Sequence, residues 1–236
     1  MAGGNGVVAV GSIKESKAER TRRTILESAM SLILEEGYEK ATMRSIAKAA
    51  GLSAGAAYYY FPSKEHIVQQ YYEEGYDDQV KASRAILATE RKLAPRLAGV
   101  LRVHMEVAAP YHEVSRALFA TAADPAHPIS PFSAESKELR DRHIALFEEL
   151  LGGTSDSLSG LPKKFRERLP ELLWLYKMGI ILYWVHDRSP GQRKTFGLIE
   201  VSARLVARVI GAAKLPGVKT LANRGVDMYD EFRVYD

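Results

Sequence analysis

The stretch TMRSIAKAAGLSAGAAYYYFPSKEHIV, residues 42–68, packs two short helices around a tight turn. Thr42 stands where an N-cap is needed, offering a side-chain oxygen to the free N–H groups of a helix over 43–50. Gly51 closes that helix and Ser53 is placed to cap the next, which ends near Phe61-Pro62. Ile46, Ala47 and Ala50 are expected to pack against Leu52 and Ala57. Small residues let two helices cross closely at a steep angle, which is helix-turn-helix geometry. Ser63, with Glu65 and His66, then opens a further helix through Ile67, Val68, Tyr71 and Tyr72.

Reading outward, helical spacing continues in both directions. Before the stretch, Ile25, Ala29, Leu32 and Ile33 share one face of a helix over 17–36, and Gly37 stands at the C-terminal cap position. After it, longer helices are predicted over 95–108, 111–120, 136–151, 170–187 and 190–213, with a short one near 226–232. Proline-rich and glycine/serine-rich loops, 121–133 and 152–162, separate them. Ser189-Pro190-Gly191-Gln192 reads as a capping box with proline at the first helical position. Strand-like alternation is missing, so the fold class is all-α. The expected organisation is a tail at 1–16, a three-helix unit at 17–65, and a larger helical domain at 66–236.

The run T-M-R-x-I-A-x-x-A-G-L-S-x-G-x-x-Y-x-Y-F-x-x-K-E resembles the DNA-binding domain of TetR-family transcriptional regulators over residues 20–68. The resemblance implies that the second motif helix lies in the major groove. Arg44 matches a position that reaches a guanine or a phosphate, and an arginine there can pair with guanine O6 and N7. Thr42 and Lys64 match phosphate-binding positions, one as a hydroxyl at a helix start and one as a point charge. Tyr60 matches an aromatic position whose polar tip meets the DNA backbone. Of the other tyrosines, Tyr58 is expected in the core and Tyr59 exposed to DNA. Ser53, Ala54, Gly55 and Ala56 open the recognition helix. None of the last three carries a side-chain donor or acceptor, so alanine methyls can only meet thymine methyls and Gly55 allows close backbone approach.

Composition narrows the classes. The chain has 236 residues, a net charge of +4 and no cysteine, which excludes thiolate metal sites, disulfide scaffolds and cysteine nucleophiles. The local basic excess lies before the motif, where Lys14, Lys17, Arg20, Arg22 and Arg23 face Glu15 and Glu19. No nucleophile elbow, phosphate loop or dinucleotide fingerprint occurs, and the histidines lack metal-ligand spacing. Asp124, His127 and His143 form no recognisable catalytic set. No cofactor is expected. The N-terminus has no cationic export signal and no apolar run is long enough to span a membrane, so a cytoplasmic protein is expected.

The larger half is where the resemblance implies a dimer and an effector site. Residues 170–185 are apolar nearly all round, with Leu175, Ile181 and Leu182 among them, and such a helix needs cover on every side. Leu198, Val201, Ser202, Leu205, Val209 and Ile210 make one stripe of the following helix. By resemblance the two helices form a homodimer interface. Candidate effector-lining residues are Met105, Tyr111, His112, Phe119, Phe132, His143, Phe147, Tyr176 and Tyr183, a mix suited to an apolar or aromatic small molecule with few polar anchors. Lys177, alone in an apolar helix, either meets an anionic ligand or snorkels to solvent. The expected function is a regulator, in the first instance a repressor, that leaves a palindromic operator when an effector binds. The alternatives are a helical small-molecule binder or enzyme without DNA binding, and a regulator controlled by a protein partner.

Overall fold

The computed structural model describes residues 16–233 and 235. The expected tail, with Lys14 and Glu15 of the basic arm, lies outside the described residues except for Ser16. Ten α-helices follow in order: α1 Lys17–Glu36, α2 Met43–Ala49, α3 Ala54–Tyr60, α4 Lys64–Thr89, α5 Leu93–Ala108, α6 His112–Ala122, α7 Lys137–Gly152, α8 Lys163–His186, α9 Arg193–Ala212 and α10 Pro216–Phe232. No strand occurs among the described residues.

Two apolar cores organise them. The first gathers Ile25, Ala29 and Ile33 of α1, Ile46 and Ala47 of α2, Ala57 of α3, and Ile67 and Val68 of α4. It also takes in Val114 and Leu118 of α6 and Ile129 of the proline-rich loop. The larger half therefore supplies part of the motif's own floor. The second core joins α4, α5, α7, α8 and α9 around Leu97, Leu101, Phe147, Trp174 and Trp184. Helix α4 is one unbroken rod through residue 65, with its N-terminal half in the first core and Leu87 in the second.

Buried polar groups pin the second body. The Arg96 side chain is buried and donates to the carbonyls of Leu87, Glu90, Leu150 and Glu149 at 2.8, 2.7, 2.8 and 3.2 Å. These carbonyls lie at the ends of α4 and α7, where the helix dipoles favour a cation. Gly153 is fitted to this clamp, since a Cβ there would collide with the Arg96 guanidinium. Asp187 is likewise buried and accepts from Ser189 N–H, Thr195 N–H and Thr195 Oγ1 at 2.9, 2.9 and 2.7 Å. Burial alone would raise its pKa, but these donors outweigh it and hold the carboxyl down at about 2.

Several expectations are corrected here. Pro170 does not start a helix; α8 begins at Lys163 and carries Pro170 inside it. The polar opening KKFRER supplies turns that an apolar pattern does not reveal. The Ser189–Gln192 capping box does not form. Pro190–Gln192 is a 3-10 turn, with Gly191 and Gln192 both at positive φ (60° and 49°). The Ser189 hydroxyl instead accepts from Lys194 N–H, and Asp187 caps α9 through Thr195. Ser63 stands at the N-cap of α4, but its hydroxyl pairs with the His66 ring rather than the backbone. The terminal helix α10 starts at Pro216, ten residues before the expected one at 226. Val226 is its buried side chain, and Leu221, Met228 and Phe232 stay exposed.

Candidate nucleic-acid interface

The motif is built by local capping. Thr42 Oγ1 accepts from Ser45 N–H at 3.1 Å while Ser45 Oγ accepts from Thr42 N–H at 2.9 Å. Ser45 thus completes a reciprocal box that the sequence reading overlooked, because serine replaces the usual glutamate or glutamine. Gly51 takes φ +70°, a left-handed turn that glycine adopts without cost. Ser53 Oγ then accepts from Ala56 N–H at 3.2 Å and starts α3. Ala57 and Phe61, one helical turn apart, point into the first core.

That register decides the tyrosines. Tyr58 lies one step past Ala57 and is 51% exposed, so the expectation of a core residue is wrong. Tyr59 is 83% exposed. Tyr60 is half-buried, edge-on to Tyr59, with the Arg22 guanidinium 6.0 Å from its ring centre. Arg44 is exposed, as are Thr42, Ser53 and Gly55, while Ala54 and Ala56 on either side of Gly55 are half-buried. Gly55 has ordinary helical φ, and a Cβ built on it would meet nothing within 4 Å. Nothing inside the protein requires glycine there, although glycine costs a helix about 1 kcal/mol relative to alanine.

Lys64 is held in an unexpected way. Its ammonium donates to the Tyr38 carbonyl at 2.8 Å and sits 3.9 Å from the Tyr38 ring centre. The Tyr38 hydroxyl donates to Glu65 at 2.8 Å, and burial followed by that carboxylate pushes the phenol up, so the donor keeps its proton. One of three ammonium protons is spent, and the rest stay beside the start of α4. Tyr38 also meets the His127 ring edge-on, a contact that gives His127 a packing role far from His143. Among the described residues no cluster of histidine and carboxylate groups could hold a metal.

The candidate effector residues do not converge. Tyr111 and Tyr183 are exposed, and Phe147 and Met105 are sealed in the second core. Phe119 meets His186, Phe132 meets Trp174, and His112 lies against the Trp184 ring with its Nε2 paired to the Trp184 carbonyl. Tyr176 pairs with Ser202 beside a shallow apolar groove of about 300 Å³ between α8 and α9. His143 does something different: its Nδ1 lies 2.9 Å from Lys177 Nζ, and Lys177 is 1% exposed. The lysine does not snorkel. Burial pulls its pKa down to about 7.

The expected dimer face is exposed only in part, since Ile210 is buried in the second core and Ile181, Leu198 and Ser202 are partly covered. Val201, Leu205 and Val209, one turn apart on α9, are 61%, 59% and 56% exposed, and Leu182 of α8 is half exposed while Leu175 is partly covered. Among the described residues no helix is long and apolar enough to cross a membrane.

Comparison with known proteins gives matches over both parts of the chain. Residues 25–71 match the family described as bacterial regulatory proteins, tetR family, and residues 96–226 match the tetracyclin repressor-like C-terminal domain. The HTH-type transcriptional regulator PksA of Bacillus subtilis is 36% identical over 34% of this chain and 42% of its own. The HTH-type transcriptional repressor KstR of Mycobacterium tuberculosis is 43% identical over 22% of this chain and 24% of its own. The chain thus spans less than half the length of these curated relatives. Among solved structures, the TetR transcriptional regulator from Nitrosomonas europaea superposes with TM-score 0.61 at 14% identity, covering 80% of this chain and 98% of its own. The fatty acid degradation regulator FadR from Bacillus halodurans gives 0.59 at 20% identity, covering 79% and 94%. Both share the all-α fold.

Proposed function

The chain belongs to the TetR family of transcriptional regulators, and from that premise we propose that it is a homodimeric repressor released from a palindromic operator by a small-molecule effector. The observation that carries the DNA-binding part is the outward face of α3. Gly55 stands exposed between half-buried Ala54 and Ala56 behind a capped helix start, and its missing side chain has no use inside the protein. It suits a backbone that must approach DNA closely.

Around that face each group has a task. Arg44 reads a guanine edge or holds a phosphate. The hydroxyls of Thr42 and Ser53 at the starts of α2 and α3, and of Tyr59 and Tyr60 at the end of α3, meet the sugar-phosphate backbone. Lys64 lends the two N–H groups it does not spend on Tyr38 to a phosphate at the rim. With so few base-edge donors, part of the selectivity falls to DNA shape.

The exposed α8–α9 stripe, carried by Leu182, Val201, Leu205 and Val209, supports pairing of two copies, since burying it repays about 25 cal/mol for each Å² of apolar surface. A two-fold dimer presents two copies of α3 to half-sites about one DNA turn, roughly 34 Å, apart. Effector binding in the α4–α8 body alters that spacing through α4, which runs from the reader into the second core. A coupling of about 1–3 kcal/mol suffices for a 5- to 150-fold change in operator affinity.

Titration of the purified chain against the DNA upstream of its own gene tests this reading. A sequence-dependent complex that weakens steeply with salt is expected. Equal binding to unrelated DNA, or none, contradicts it. Lys64→Ala should weaken every sequence alike and reduce the salt slope by about one.

A further inference from the structure

Four helices of the larger body bury polar side chains at one place. Gln79 and Ser83, one turn apart on α4, are 1% and 0% exposed. His104 of α5 pairs with Gln79 Oε1 through Nδ1 at 2.7 Å. Its ring lies 6.0 Å, centre to centre, from that of His143 on α7, which in turn meets the Lys177 ammonium of α8. The groups form one continuous line, Gln79–His104–His143–Lys177, through the interior.

This line is unfinished as a hydrogen-bond network. Gln79 Nε2 and Ser83 Oγ are buried with no partner. Among the described residues Lys177 has His143 as its single polar partner and pairs with no carboxylate. Its ammonium therefore keeps two undirected N–H groups. The surrounding charges do not compensate. Arg142 on α7 is positive and already pairs with Asp77 at 2.7 Å, over the Tyr76 ring, while Tyr76 donates its hydroxyl to the Arg142 carbonyl. Orphaned donors around an unpaired buried cation are costly, and a native fold that keeps them calls for a partner supplied from outside.

Deepening the effector reading above, on which this rests, we propose that the Gln79–Ser83–His104–His143–Lys177 nest binds the carboxylate of a small organic acid. A carboxylate brings one negative charge to Lys177, whose ammonium keeps two N–H groups to donate, while the Gln79 amide and the Ser83 hydroxyl are further donors along the line. The core around the nest is apolar, with Met105, Phe147 and Ile180 buried in it, which suits an acid with a small hydrocarbon or aromatic body. His104 and His143 are only partly covered, which leaves a way in. The nest also reports directly to the reader. Gln79 and Ser83 sit on the same helix as Lys64, about 22 and about 28 Å away at 1.5 Å per residue.

The test uses the full chain at pH 7 with formate, acetate and benzoate, their amides formamide, acetamide and benzamide, and sodium chloride at matched ionic strength. At least one carboxylate should raise the melting temperature saturably by several degrees, while its amide and chloride do not. Lys177→Met should abolish that shift yet melt no lower than the unliganded wild type. Ser83→Ala, which removes only an orphaned hydroxyl, should fold normally and weaken carboxylate binding several-fold. No saturable shift with any of the three acids, equal shifts from acids and amides, or an undiminished shift in Lys177→Met would overturn the proposal. Operator titrations on the same samples separate the two readings. Operator binding without carboxylate binding sinks the nest alone. Carboxylate binding that leaves operator affinity unchanged keeps the nest and sinks effector release.

Discussion

Two cations are buried in the same helical body and are kept there by opposite means. Arg96 is wrapped by four backbone carbonyls at the ends of α4 and α7, so its charge is spent on closing helix termini. Lys177 lies across the body with one histidine for company and two orphaned polar groups in the same nest. A planar guanidinium fills a fixed set of acceptors, whereas an ammonium is a point charge that waits for one. The first arrangement is complete without any ligand, and the second is not. On the proposal above, stability and function are drawn from different polar clusters of the same helical body.

The contrast can be broken at either end. Arg96→Met takes a buried donor from four carbonyls and should cost about 3–5 kcal/mol, read from urea denaturation. Lys177→Met should move the other way, gaining about 1–4 kcal/mol at pH 7, because it removes a buried charge without stranding a partner of comparable cost. If both substitutions destabilise alike, Lys177 is a pin of the same kind as Arg96. The reader offers a third comparison. Arg44→Ala should leave stability within about half a kcal/mol but cost about 1–3 kcal/mol in operator binding, concentrated at one base pair. A uniform loss over all operator variants would make Arg44 a phosphate contact.

Titration sharpens the same comparison. Lys177 is neutral above about pH 7 in the folded chain and charged up to its ordinary value of 10.5 when unfolded. Between those limits the unfolded state binds the extra proton, so stability rises with pH, by up to tenfold in the folding constant per pH unit. Below that window His104 and His143 continue the trend. Burial first, and then the Lys177 charge, hold both rings well below 6.5, so the unfolded state takes up their protons and stability falls as the pH drops through 6.5. Denaturation of wild type and Lys177→Met from pH 7 to 9 checks this: the slope should be shallower in the variant. The smallest expected effect is Gly55→Ala, which should stabilise the fold by about 0.5–1 kcal/mol while weakening operator binding.

These regions also differ in how far they can be read from the chain. The motif was legible because its signals are local: Thr42, Gly51 and Ser53 act within four residues of themselves, and the structure puts each at its cap or turn. Tyr58 was misread because adjacent residues on a seven-residue helix differ by 100° and only the packed register decides which one turns inward. Pro170 and Gln192 misled for the same local reason, since each suits a helix start and tertiary contacts chose otherwise. The nest was nearly invisible. Its five residues come from four helices, and a polar side chain on α4 or α5 reads as a solvated face until the neighbouring helices cover it. Lys177 broke pattern as the one cation within the apolar stretch of α8, and the structure buries it instead of letting it snorkel.

The central claim is that paired α3 helices read DNA with the spacing of a two-fold dimer. Selection of binding sequences from random duplex DNA by the purified full-length chain tests it most directly. The account predicts enrichment of an inverted repeat whose half-site centres lie about one helical turn apart. Enrichment of a single unrepeated element, or no enrichment at all, would contradict it.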